Sequence, residues 1–183
     1  MVNIANLNIP ESWDEVSFGT YQLLTGVELG KEDTKVGELE NSIKILATLL
    51  KTNIKVIEEL SAKDFMAIQA KVQFLSKEIE HSYKVKWNFI PVNKLSMDKW
   101  MAYEKYKLNP EENLTKILAL MQNEYTEAQI KEMAVTEVLR GFFILQKNST
   151  KYMKRFQMCL HLKMIKWKLM DYWRTLKKKL RIG

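Results

Sequence analysis

The string ENSIKILATLL at residues 40–50 returns as ENLTKILALM at 112–121, with Glu, Asn, Lys, Ile, Leu and Ala shared among the first eight positions. A chain that spells one amphipathic helix twice has to accommodate two equivalent helices, so further pairs are expected around them. They occur in matching order. One apolar run ends in Ile9–Pro10 and another in Ile90–Pro91; a serine precedes an aromatic segment at Ser17 and again at Ser96. The offset falls from 81 at the Ile-Pro pairs to 79 at the serines and 72 at the Glu-Asn pairs. Longer loops in the first unit account for the change, since loops are where insertions are tolerated. The chain therefore reads as a first unit over 1–80, a second over 81–147 and a basic segment over 148–183.

The local signals give the elements. Residues 2–9 alternate apolar side chains with Asn3, Asn6 and Asn8, which predicts a short strand closed by Pro10. Ser17 is the expected cap of a helix over 18–24, with Trp13, Val16, Phe18 and Tyr21 as its apolar side and Gly26 as its end. After a polar loop at 30–37, the first repeated helix is expected over 38–51, with Leu39, Ile43, Leu46 and Leu50 as the buried stripe. A short helix over 54–60 follows, then a helix capped at Ser61 that carries Phe65, Ile68, Val72 and Leu75. In the second unit YKVKWNFI, 83–90, predicts a strand with Tyr83, Val85, Trp87 and Phe89 on one face. Ser96 caps a helix through Trp100, Tyr103 and Tyr106. Asn109–Pro110–Glu111–Glu112 starts the repeated helix, 113–123. Thr126 and Gln129 form a capping box for a helix over 127–146. The expected fold is mainly α with a small β ribbon: an internally duplicated helical unit about a pseudo-twofold axis, followed by a long basic C-terminal helix.

Charge is divided unevenly. Of the 29 Lys and Arg, 12 fall in 147–183 beside a single acid, Asp171, a net of +11 against −4 for the remainder. Residues 151–181 contain no Pro or Gly, and at roughly 1.5 Å per residue such a helix would span roughly 45 Å. Met158, Leu162, Ile165, Leu169, Tyr172, Leu176 and Leu180 make a near-heptad seam, with Phe156, Leu160, Met164, Trp167 and Met170 as a second apolar line. A second subunit is the natural cover for such a surface. Trp167, Trp173, Arg174, Lys177, Lys178, Lys179 and Arg181 are the candidate partner-binding residues. Cations with interleaved aromatics suit phosphates and bases, a membrane surface or an acidic groove, or plain packing with lysines reaching along apolar neighbours into water.

No catalytic constellation is legible. His81, His161 and Cys159 have no metal-ligand spacing, and Cys159 and His161, two apart, point to different sides of a helix. No nucleophile elbow, phosphate-binding glycine loop, dinucleotide fingerprint or EF-hand loop occurs. The pairs Asp14/Glu15, Glu58/Glu59 and Glu111/Glu112 read as turn and helix-start acids. The single cysteine excludes an internal disulfide framework. MVNIANLNIP lacks the basic and apolar regions of a secretory signal, and no stretch of 18 apolar residues spans a membrane. The expectation is a non-enzyme without cofactor, catalytic site or metal.

IPESWDEVSFGTYQLL at 9–24, with NFIPVNKLSMDKWMAYEKY and NPEENLTKILALM within 88–121, resembles small virion-structural and tail-assembly proteins of tailed bacteriophages, over about residues 1–146. The resemblance implies a non-enzymatic, tail-assembly-chaperone-like or virion role, through contacts with other phage structural proteins. It also implies localisation in the virion or in host cytoplasm during assembly. It transfers no functional residue, and the basic segment is not part of its pattern. A homo-oligomer is expected, and nucleic-acid binding through the C-terminal helix is the alternative function.

Overall fold

The computed structural model describes residues 7–30, 34–80, 84–91 and 94–148. Over these residues the protein is mainly helical. The helices are α1 (Phe18–Thr25), α2 (Lys35–Leu49), α3 (Ile54–Glu58), α4 (Ala62–Lys71), α5 (Met97–Tyr106), α6 (Pro110–Leu120), α7 (Glu127–Glu132) and α8 (Val135–Asn148), with 3-10 turns at Trp13–Glu15 and Val72–Ser76. No helix among the described residues is long and apolar enough to cross a membrane.

Side-chain caps set most helix starts. Ser17 Oγ accepts the Thr20 N–H at 3.3 Å, Thr34 Oγ1 that of Gly37 at 3.1 Å, Asn53 Oδ1 that of Lys55 at 3.0 Å and Ser61 Oγ that of Asp64 at 3.1 Å. Thr126 and Gln129 form the reciprocal capping box. Each such cap contributes about 1 kcal/mol. Asn109 makes no side-chain cap; Pro110 in the first turn and the acids Glu111 and Glu112 start α6 instead. Helix α2 ends with Lys51 at φ 51° and the Thr52 N–H on the Ala47 carbonyl at 2.9 Å, a Schellman-type turn with lysine where glycine is usual.

Three expectations are corrected. Helix α2 begins at Lys35, and it buries Asn41, Ser42, Ile45, Leu46 and Leu49, while Leu39 is 49% exposed and Ile43 and Leu50 are half-buried. Asn41 lies inside the helix. Its side chain accepts the Gly30 N–H at 2.8 Å and donates to the Gly30 carbonyl at 3.1 Å, so it pins the preceding loop and fixes which face turns inward. The helix expected over 127–146 is two helices. It breaks at Met133–Ala134, where Met133 O accepts the Phe18 N–H at 2.8 Å and Val16 O accepts the Val135 N–H at 2.9 Å, around an isolated antiparallel bridge between Ser17 and Ala134. Finally, 84–90 keeps the expected alternation, with Trp87 buried and Lys84, Lys86 and Asn88 exposed, but joins no ladder among the described residues. Its polar backbone is held by side chains of α8 and by the end of α6, as described below. Of the other expected strand, 2–6 lie outside the described residues and 7–9 form none.

The core runs through both halves. Ile45 and Leu46 of α2 and Ile117 and Leu118 of α6 are all 0% exposed, as is Ile130 of α7, with Ile57 of α3 at 1%. Each such side chain contributes about 1.5–3 kcal/mol, more than a cap does. Helix α1 packs on α2 and α2 on α3; likewise α5 packs on α6 and α6 on α7. The halves are joined by α1, which lies against α7 and α8, and by the Trp13–Glu15 turn, which packs on α8; within the first half Trp13 is edge-on to Tyr21 at 5.9 Å and to Phe74 at 5.3 Å.

Candidate interaction site

Helix α8 carries a polar clamp. Glu137, 4% exposed, accepts the Lys84 N–H at 2.9 Å and the Val85 N–H at 3.0 Å, one on each carboxylate oxygen. Its own carbonyl accepts the Trp87 indole N–H at 3.1 Å, and Arg140 Nη1 donates to the Val85 carbonyl at 2.6 Å. The far end of the segment is tied by the Ile90 N–H on the Met121 carbonyl at 2.7 Å. A carboxylate thus does for this extended segment what a neighbouring strand does in a sheet. Asp14 works beside it: the Thr136 hydroxyl donates to Oδ1 at 2.6 Å and Lys84 Nζ lies 3.4 Å from Oδ2. The Thr136 hydrogen bond is the main cause that holds the Asp14 carboxyl below the usual aspartate range; burial opposes it and Lys84 adds to it. Both acids are engaged as fasteners between the N-terminal turn, the extended segment and α8.

The other paired acids are structural as well. Glu111 and Glu112 occupy the first turn of α6, as expected. Glu58 and Glu59 do not start a helix: they close α3, one turn before the Ser61 cap. Among the described residues no group of three His, Cys, Asp or Glu side chains is placed to hold a metal. Trp167, Trp173, Arg174, Lys177, Lys178, Lys179 and Arg181 lie outside the described residues, as do Cys159, His81 and His161.

The feature suited to a partner is a groove of about 540 Å³ between α2, α3 and α4. Leu39, Ile43, Ile57, Leu60, Phe65 and Met66 give it an apolar floor and wall, with Lys35, Glu38 and Glu58 at its margin. Leu39 and Met66 stand 49% and 61% exposed, and Val36 on the same helix 65%. Helix α5 adds a second apolar surface, with Met97 at 73% and Met101 at 66% exposure. The sequence reading missed this groove. It placed Leu39 in the core, and Met66 stood outside the stripe read for its helix. Glu137 carried a usable signal, a lone charge between Val135 and Val138 on a strongly apolar helix.

No family model, no curated protein and no solved structure matches the chain.

Proposed function

We propose that this chain is a non-enzymatic assembly or structural protein of a tailed bacteriophage, acting by protein–protein contact in the virion or in host cytoplasm during assembly. The observation that carries the reading is the α2–α3–α4 groove. Apolar side chains exposed around a concave surface, with charges at the margin, suit the apolar face of a partner helix. The resemblance of 9–24 and 88–121 to tail-assembly proteins supplies the setting. We further read 1–80 and 81–147 as two copies of one unit, and 148–183 as a basic helix. In support, the helix order is the same in both halves. The buried pairs Ile45 and Ile117, Leu46 and Leu118, and Ile57 and Ile130 also hold equivalent positions.

Co-expression with the tail and capsid proteins of the same phage tests the function. Co-purification that is lost with Leu39→Asp plus Met66→Asp is the expected result; co-purification indifferent to these substitutions removes the groove as its cause. The +11 charge of 147–183 favours a second reading, phosphate binding by the tail. A salt-dependent DNA affinity that disappears when 149–183 are deleted is its signature, and absence of binding at low salt rejects it.

A further inference from the structure

The groove between α2, α3 and α4 has a counterpart in the second half, and there it is filled. Aligning the repeated helices pairs Leu39 with Glu111; aligning the caps Asn53 and Thr126 pairs Glu58 with Lys131, Leu60 with Met133 and Ala62 with Val135. The first-half members all line the open groove. The second-half members all meet α1 or its lead-in. Tyr21 is close enough to Glu111 for its phenol to be raised to about 12 by burial and, secondarily, by that charge. A Cβ on Gly19 would stand 3.3 Å from the Lys131 carbonyl oxygen. The Phe18 N–H donates to the Met133 carbonyl at 2.8 Å, and the Val135 N–H to the Val16 carbonyl at 2.9 Å. Helix α1 therefore occupies in the second half the place that, among the described residues, lies open in the first.

The helix that corresponds to α1 is α5, through the serines that precede them, Ser17 and Ser96, although only Ser17 makes a side-chain cap. Leu24, buried on α1, which packs on α2, corresponds to Tyr103, buried on α5, which packs on α6. Phe18 and Met97 also correspond. Phe18 is 2% exposed, docked against α7 and α8; Met97 is 73% exposed, with Met101 one turn further at 66%. So the chain carries one joint closed within itself and, among the described residues, both halves of the same joint left open.

We infer that a second copy of this chain is the occupant of the groove: α5 of one molecule enters the α2–α3–α4 groove of the next, as α1 enters the α6–α7–α8 surface within each chain. The inference rests on the reading that the two halves are equivalent, and it names the partner of the groove in the proposed function. The joint is heterologous, so it propagates head to tail and makes rings or filaments rather than a closed twofold dimer. Helix α5 differs from α1 along its length, and one difference falls at the close approach of α1 to α7: Asp98 stands where α1 has Gly19. The added side chain keeps α5 further from α3 than α1 stands from α7, which makes the joint between copies weaker and concentration-dependent.

Light scattering and sedimentation of the full chain over a wide concentration range test this. The wild type grows past dimer as concentration rises. The donor variant, Met97→Asp plus Met101→Asp, and the acceptor variant, Leu39→Asp plus Met66→Asp, each raise the dissociation constant at least tenfold. All four side chains are 49–73% exposed, so far-UV circular dichroism of each variant matches the wild type. An equimolar mixture of the two variants forms 1:1 dimers and nothing larger, because one intact joint remains between them. In a Cys159→Ser background, chains carrying Met97→Cys crosslink under oxidation to chains carrying Leu60→Cys. A wild type that stays monomeric throughout, or growth that survives both variants, overturns the inference. If co-purification with phage proteins persists in that case, the assembly reading stands without it; if self-association holds while co-purification is absent, the reverse is true.

Discussion

Gly141→Ala sets two effects of known sign against each other. Gly141 lies inside α8, where alanine is favoured over glycine by about 0.5–1 kcal/mol. Yet a Cβ there would stand 2.5, 2.7 and 2.9 Å from three atoms of the Trp87 indole. That ring cannot give way cheaply: it is 6% exposed, donates to the Glu137 carbonyl, stacks on Phe89 at 5.5 Å and meets Tyr125 edge-on at 5.8 Å. Overpacking a tight site costs about 1–3 kcal/mol, and three contacts below 3.0 Å put this site in the upper part of that range. The expected net effect is a loss of about 1–2 kcal/mol, and at about 2–4 °C per kcal/mol for a chain of this size the melting temperature falls by several degrees. Urea unfolding followed by circular dichroism measures it. The decisive comparison is the same substitution in a Trp87→Leu background, where the obstruction is gone and alanine becomes stabilising by about 0.5–1 kcal/mol. A Gly141→Ala chain more stable than the wild type, or an equal effect in both backgrounds, would refute the close approach of α8 and the extended segment.

Glu137→Gln leaves one acceptor oxygen for two backbone N–H groups and turns an amide against the other; a loss of about 1–3 kcal/mol is expected, with faster hydrogen exchange at the Lys84 and Val85 amides. Lys51→Gly relieves a left-handed residue at the end of α2 and stabilises by about 0.5–1 kcal/mol, read as a higher denaturation midpoint. Because the Asp14 pKa is depressed in the folded state, its contribution is fully present above the unfolded value of about 4 and is lost as pH falls through the lower folded value. Thr136→Val removes the main cause of the depression, so stability plotted against pH flattens below about pH 4 relative to the wild type; an unchanged slope rejects the Asp14–Thr136 bond.

What the sequence disclosed was mostly local. Ser17, Ser61 and the Thr126–Gln129 pair act where their spacing placed them, because a cap is decided within four residues. Trp13, Val16, Phe18 and Tyr21 are buried as a set. The buried face of α2 was not legible, since Leu39–Ile43–Leu46–Leu50 and Ser42–Ile45–Leu46–Leu49 are both lines at helical spacing and share Leu46. The choice between them is made by the grip of Asn41 on Gly30, eleven residues away in sequence. The break between α7 and α8 has no Gly or Pro to announce it; it comes from the bridge to Ser17, more than a hundred residues away. The groove was invisible for a related reason: a pattern of apolar residues says that a face wants cover, and nothing in it says whether this chain supplies the cover.

The Ser17–Ala134 bridge also sets a timetable for synthesis. Helix α1 emerges from the ribosome long before α7 and α8, its docking partners, exist. At about 5–20 residues per second, Phe18 and Tyr21 wait on the order of ten seconds for the surface that buries them. Polysomes bring neighbouring nascent chains close together during that interval, and a completed α7–α8 surface on one chain is an equally good landing place for α1 of the next. Exchange of α1 between copies is therefore the misassembly to which this topology is most exposed, and its yield should rise when translation is slowed between codons 25 and 135.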